Sequence, residues 1–185
     1  MSNLKFIFSL LVVTLIDLCF AQNEIPAPQK LEWTGFRQVI AQTGNLFISG
    51  QPDAAAFSKL KDEGVTAVIN LRTEQEMANR DYVPFNEKQL LDSLGIKYVH
   101  IPLGGSDTPY NPAALKKFAE EFTKADGKVL LHCTVAWRAS HMWAAYLIEY
   151  KKFTPSKAIE YAKMINFGEL PLEGLLGKKL NVQFE

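Results

Sequence analysis

"LLHCTVAWRAS" (residues 130–140) holds three structural signals in eleven residues. Lys128 to His132 is a short apolar run of strand length, buried on both faces because it does not alternate with polar residues. From Arg138 onward, Met142, Trp143, Tyr146 and Leu147 return to one side of an amphipathic helix. Between them lie only Cys133 and the four residues Thr134 to Trp137. A buried strand, a tight turn and a helix make the β-α step of a parallel sheet. In such sheets ligands bind beyond the carboxyl ends of the strands, where the next helix presents its N-terminus. Cys133 stands at such an end.

Working outward, the same pattern recurs. "LFIS" (46–49), "TAVINL" (66–71) and "KYVHI" (97–101) read as further strands. Asp53 caps a helix that runs through Leu60 and stops at Gly64. A helix from Asn86 to Leu94 ends at Gly95, and Asn111-Pro112 opens another whose Leu115, Phe118 and Phe122 share a face. Thr154-Pro155 opens a last helix. Residues 72–82 read as a polar connection. The expected fold is α/β, a mostly parallel central sheet flanked by helices in a single domain.

The chain has 185 residues, 48% of them hydrophobic, which suits one domain with a full core. Lysine plus arginine and aspartate plus glutamate stand at 20 each, with no run of one sign, so neither a nucleic-acid partner nor a basic membrane patch is expected. Lys5, the apolar "FIFSLLVVTLI" and the small-residue pattern at Cys19-Phe20-Ala21 predict a signal peptide over residues 1–21, cut ahead of Gln22. The run is interrupted by Asp17 and is too short to span a bilayer comfortably, so no stable membrane insertion is expected after cleavage. Residues 22–34 read as an N-terminal arm and 35–185 as the domain, secreted or periplasmic.

Of two cysteines, Cys19 and Cys133, only the second survives that cut. An unpaired thiol in an oxidising compartment is either an inert core residue or a reactive one. Its neighbours favour reactivity. The backbone N–H groups of Thr134 to Trp137, the positive end of the helix and the Arg138 guanidinium all favour negative charge at one place, which would stabilise a thiolate and hold an oxyanion. His132, ending a buried strand, reads as a residue that orients the loop. His100 and His141 read as ordinary, and the three histidines lack metal-ligand spacing, so neither metal nor cofactor is expected.

"HCTVAWR" resembles the active loop of the cysteine-dependent protein tyrosine and dual-specificity phosphatases, and "GFRQVIAQTGNLFISGQPDAAAFSKLKDEGVTAVINLRTEQE" (35–76) is similar to the N-terminal half of small bacterial and fungal members. The loop carries four residues between cysteine and arginine rather than the usual five, the spacing of a bacterial phosphatase-like subgroup. Ala136 stands where that subgroup has glycine. Ala139 stands where a serine or threonine usually bonds the thiolate, a task Ser140 is placed to take over. The resemblance implies hydrolysis of phosphate monoesters through a phosphocysteine, on a phosphorylated protein or small molecule. Cys133 would be the nucleophile, residues 134–138 the phosphate cradle, and Arg138 a two-pronged grip on oxygen. It also implies an aspartate acid on a mobile upstream loop, for which Asp107 in "GGSDTPY" fits better than Asp81 or Asp126. Two other readings stay open: a rhodanese-like sulfurtransferase, whose loops commonly have this shorter length, and a phosphoryl-binding module without turnover.

Overall fold

The computed structural model describes residues 25–168 and 171–180. The expected signal peptide lies outside the described residues. Six strands form one sheet: β1 (Gln29–Lys30), β2 (Ile40–Thr43), β3 (Leu46–Ser49), β4 (Val65–Asn70), β5 (Lys97–His100) and β6 (Lys128–His132). Their order is β1-β2-β3-β6-β4-β5, parallel from β3 to β5 and antiparallel across β1, β2 and β3. The α/β fold with a mostly parallel sheet is therefore as expected. β6, which carries the cysteine, lies in the middle.

Seven helices are described: α1 (Ala54–Asp62), α2 (Glu74–Ala78), α3 (Glu87–Leu94), α4 (Pro112–Lys124), α5 (Trp137–Lys151), α6 (Pro155–Lys163) and α7 (Leu172–Leu176). The predicted caps are present. The side chains of Asp53, Asn86, Asn111 and Thr154 each accept a hydrogen bond from a backbone N–H in the first turn, and Gly95 closes α3 at φ 69°.

Alternation along the strands divides the core. Ile48, Ile69 and Leu131 face one layer with Phe118, Trp143 and Leu147, whereas Phe47, Val68 and Leu130 face the other with Phe57, Leu60 and Leu91. Each large side chain buried this way contributes about 1.5–3 kcal/mol relative to exposure. Among the described residues, no helix is long and apolar enough to cross a membrane.

Three elements depart from the sequence reading. β2 and β3 form a hairpin whose turn uses Gly44 at φ 55°, and only β3 was expected. Gln29 and Lys30, assigned to the polar arm, pair with Gln42 and Ala41 and add an edge strand. The polar connection contains α2, opened by a capping box in which Thr73 Oγ1 accepts from Glu76 N and the Glu76 carboxylate accepts from Thr73 N.

Candidate active site

At the carboxyl edge of the parallel strands the last rung is polar throughout. Ser49 and Asn70 flank His132 in register, and Asn70 also pairs with His100. Behind this rung a buried network begins at Glu87, which is 2% exposed. Its carboxylate accepts from Gln51 Nε2 at 2.8 Å and Asn70 Nδ2 at 2.9 Å, and lies 2.9 Å from His132 Nε2. Burial works to raise the Glu87 carboxyl, but the His132 charge and these hydrogen bonds hold it below its ordinary value. Arg72 Nη1 donates to Gln51 Oε1 at 2.7 Å and Arg72 N to Asn70 Oδ1 at 2.8 Å. The "GQP", "INLR" and "HC" stretches, apart in sequence, thus meet in one cluster under the loop. His132, expected to orient the loop, is itself anchored to Glu87.

The loop hangs from that cluster. Cys133 is 1% exposed, and its N–H donates to Ser49 O at 3.3 Å. The carbonyls of the next three residues are each held by a donor from outside the loop. Gln51 N donates to Thr134 O at 3.1 Å, Asn166 Nδ2 to Val135 O at 2.5 Å, and Ser140 N to Ala136 O at 2.8 Å. Gly50 permits the close approach of the Arg37 backbone beside this contact, because a Cβ there would lie 1.8 Å from the Arg37 carbonyl oxygen and 3.1 Å from that of Thr134. Ala136 has φ 66°, the left-handed region that favours glycine, which accounts for the glycine usual at this place. Helix α5 starts next with no side-chain cap on its first N–H groups, the kind of helix start that can accept an anion. Ser140 Oγ donates to Ala136 O at 2.7 Å. It caps the loop's own backbone and does not take the thiolate-bonding task expected of it.

Arg138 holds an oxyanion of its own chain. Nη1 donates to Glu76 Oε2 at 2.7 Å and Nη2 to Glu76 Oε1 at 2.6 Å, the two-pronged pairing expected for phosphate. Nη1 also donates to Leu103 O at 2.7 Å, and Nη2 to Thr134 Oγ1 at 2.9 Å. Thr134 in turn donates to Glu76 Oε1 at 2.6 Å. Burial acts to raise the Glu76 carboxyl, but the hydrogen bonds from Arg138, Thr134 and Thr73 outweigh it and bring it down to about 2. Burial likewise acts against the Arg138 charge, and the bond to Glu76 with the nearby Cys133 charge raises its pKa above the ordinary value. Glu76 was missed because residues 72–82 read as a bare polar connection. The available signal was "TEQE" (73–76), a capping-box pattern that fixes a glutamate at the first turn of a helix.

Glu76 stands between two openings. One is a cleft of about 740 Å³ whose walls include Glu74, Asp107, Tyr110, Trp137 and Arg138. The other, about 350 Å³, is bordered by Arg37, Arg72, Tyr82 and Thr134. Asp107 therefore shares a cleft with Arg138, on an exposed stretch between Gly104 and Gly105, at φ 103° and 86°, and α4. Its carboxylate accepts from Ser106 Oγ at 3.2 Å. Tyr110 is a second residue that sequence reasoning missed. Burial raises its hydroxyl's pKa; the Arg138 charge opposes this, and the Cys133 and Glu76 charges add to it. Asp81 and Asp126 do not line this cleft. His100 lies 2.6 Å from Arg72 O and 3.1 Å from Glu74. His141 sits between Trp137 O at 2.8 Å and Gly168 O at 3.2 Å, where burial lowers its pKa. Among the described residues no group of three or more His, Cys, Asp or Glu could hold a metal ion.

Comparison with known proteins places this loop among phosphatase-like domains. Residues 36–147 match the family described as beta-lactamase hydrolase-like protein, phosphatase-like domain. Beta-lactamase hydrolase-like proteins from two Xylella fastidiosa strains, Temecula1 and 9a5c, are 32% identical over 101 residues, 54% of this chain and 22% of each relative. The chain thus spans about a fifth of the length of the curated relatives it matches. A DUF442 candidate phosphatase from Shewanella putrefaciens CN-32 is 28% identical, with a TM-score of 0.52 over 76% of this chain and 80% of that one. The structure of PTPMT1 is 27% identical, with a TM-score of 0.57 over 71% and 87%.

Proposed function

The chain belongs to the family of beta-lactamase hydrolase-like phosphatase domains, and on that premise we propose that it is a cysteine-dependent phosphatase cleaving phosphate monoesters. The observation that carries this reading is Arg138 gripping the Glu76 carboxylate with both prongs, beside Cys133 and the uncapped start of α5. A site that holds a carboxylate so firmly is built for a tetrahedral or planar oxyanion. Arg72 Nε lies 3.8 Å from the same carboxylate, and Arg37 and Arg72 border the adjoining opening, which supports binding of an anion there.

In the proposed reaction Cys133 attacks phosphorus, and the bond to the ester oxygen breaks as Asp107 protonates that oxygen. Water then attacks the phosphocysteine, giving up its proton to Asp107 and releasing phosphate with the thiolate restored. The loop amides and Arg138 hold the equatorial oxygens throughout. Substrates are phosphorylated compounds, protein or small molecule. The N-terminal sequence supports export, and mass spectrometry of the protein recovered outside the cytoplasm should find an N-terminus at Gln22.

Three observations favour sulfur transfer instead. The loop has the shorter length, Cys133 is 1% exposed, and the Arg138 guanidinium already makes five hydrogen bonds, so a small persulfide would need less room than a phosphoryl group. Both reactions are read on the purified protein, with an aryl phosphate and with thiosulfate plus cyanide. Phosphate release without thiocyanate is expected. Thiocyanate alone would establish the sulfurtransferase, and neither product would leave a phosphoryl-binding module.

A further inference from the structure

Residues 166–168, which follow α6, lie across the loop and the first turn of α5 as a brace. Asn166 Nδ2 donates to Val135 O at 2.5 Å and reaches Gln38 Oε1 at 3.4 Å. Phe167 stacks on His141 with centroids 4.1 Å apart and planes 15° off parallel. Gly168 O lies 3.2 Å from His141 Nε2, and a Cβ at Gly168 would lie 3.1 Å from Trp137 Nε1. Of the three tethered loop carbonyls, those of Thr134 and Ala136 are each held by a backbone N–H that no substitution of an ordinary side chain removes. The Asn166 side chain holds the Val135 carbonyl. It acts on the peptide unit where the loop is strained, because Ala136 pays for its left-handed φ of 66° with no glycine to ease it. Rotation of the Val135–Ala136 peptide would let φ return to negative values and swing the Val135 oxygen away from its present place.

We propose that Asn166 is a positioning residue of the anion cradle: by holding the Val135 carbonyl it keeps the Val135–Ala136 peptide in the one orientation that leaves the loop open to an oxyanion. The inference rests on the phosphatase reading for its choice of anion, but phosphate binding can be measured without turnover. Asn166→Ala removes the donor. Asn166→Asp replaces it with a carboxylate that repels the carbonyl at neutral pH and donates to it once protonated.

The test measures inorganic phosphate affinity by calorimetry, together with kcat on an aryl phosphate and the thermal midpoint, for the full chain and both variants. Both variants are expected to lose phosphate affinity and kcat at pH 7, by on the order of 10²-fold for kcat, as for an ångström-scale misplacement of a reacting group. As the pH falls toward 5, the Asp variant should regain affinity relative to the Ala variant, a ratio in which the titration of phosphate itself cancels. Phe167→Ala, which weakens the brace but keeps the amide donor, should lower the midpoint with a smaller effect on phosphate. Unchanged affinity and kcat in the Ala variant would overturn the inference, as would an Asp-to-Ala ratio that stays flat with pH. An unsubstituted protein that binds phosphate but turns over no ester would remove the phosphatase reading alone. One that binds no phosphate would remove the cradle and this role with it.

Discussion

Glu76 concentrates the electrostatics of the site in one side chain. It caps α2 and holds the Arg138 guanidinium by both prongs. Glu76→Gln keeps the shape and removes the charge. Phosphate should then inhibit at lower concentration, since the neighbouring negative charge is gone, while kcat falls by up to about 10²-fold because the guanidinium is held less firmly. The same variant tests a pH dependence. The folded carboxyl lies at about 2 against an ordinary 4.5, so its stabilisation is present above the ordinary value and is lost as the pH falls from about 4.5 toward 2. Urea midpoints of the Gln variant should therefore be lower at neutral pH and fall less steeply over that window. Asp107 is tested through the leaving group. Asp107→Asn should depress hydrolysis of alkyl phosphates far more than that of nitrophenyl phosphate, whose departing oxygen hardly needs a proton. Equal losses on both would send the search for the acid elsewhere in the cleft.

The element that sets the loop's shape is the junction between β6 and α5, and its weak point is Ala136. Ala136→Gly should change the unfolding free energy by no more than about 1 kcal/mol. The strain relieved in the left-handed conformation, about 1–2 kcal/mol, is offset by the greater freedom of an unfolded glycine, about 0.4–1 kcal/mol, and by the loss of a buried methyl. Ala136→Val combines a branched side chain at positive φ with overpacking of a fully buried site, and should cost about 1–3 kcal/mol or more. Chemical denaturation of the pair checks both signs. This junction was legible in the sequence, because an apolar run, a short turn and a 3.6-residue period are local signals. The same holds for α1, α3 and α4, whose caps are written in Asp53, Asn86 and Asn111. β2 was not, since Gln42 interrupts a four-residue strand that is held by pairing with β1 and β3. Glu76, Glu87 and Asn166 escaped for another reason. Each acts on a partner 31 to 62 residues away, and nothing in the residues beside them announces that distant contact.

At the scale of the whole molecule, the network centred on Glu87 ties the ends of β3, β4 and β6 to α3. Glu87→Ala leaves His132, Gln51 and Asn70 buried without their shared acceptor, and should cost about 3–5 kcal/mol, a large part of the 5–15 kcal/mol typical of a domain. A loss under about 1 kcal/mol in the unfolding free energy from urea titration would mean that water takes the carboxylate's place. The position of β6 between β3 and β4 has its own consequence. A central strand, paired on both edges and covered on both faces, opens only when the whole domain does. The backbone amides of Val129 to Leu131 should therefore be among the slowest in the protein to trade hydrogen for deuterium, while those of the exposed 105–107 stretch in the cleft wall should trade quickly. The cysteine proposed as nucleophile follows directly on the strand expected to yield last, and the acid proposed to serve it lies on a stretch expected to yield early.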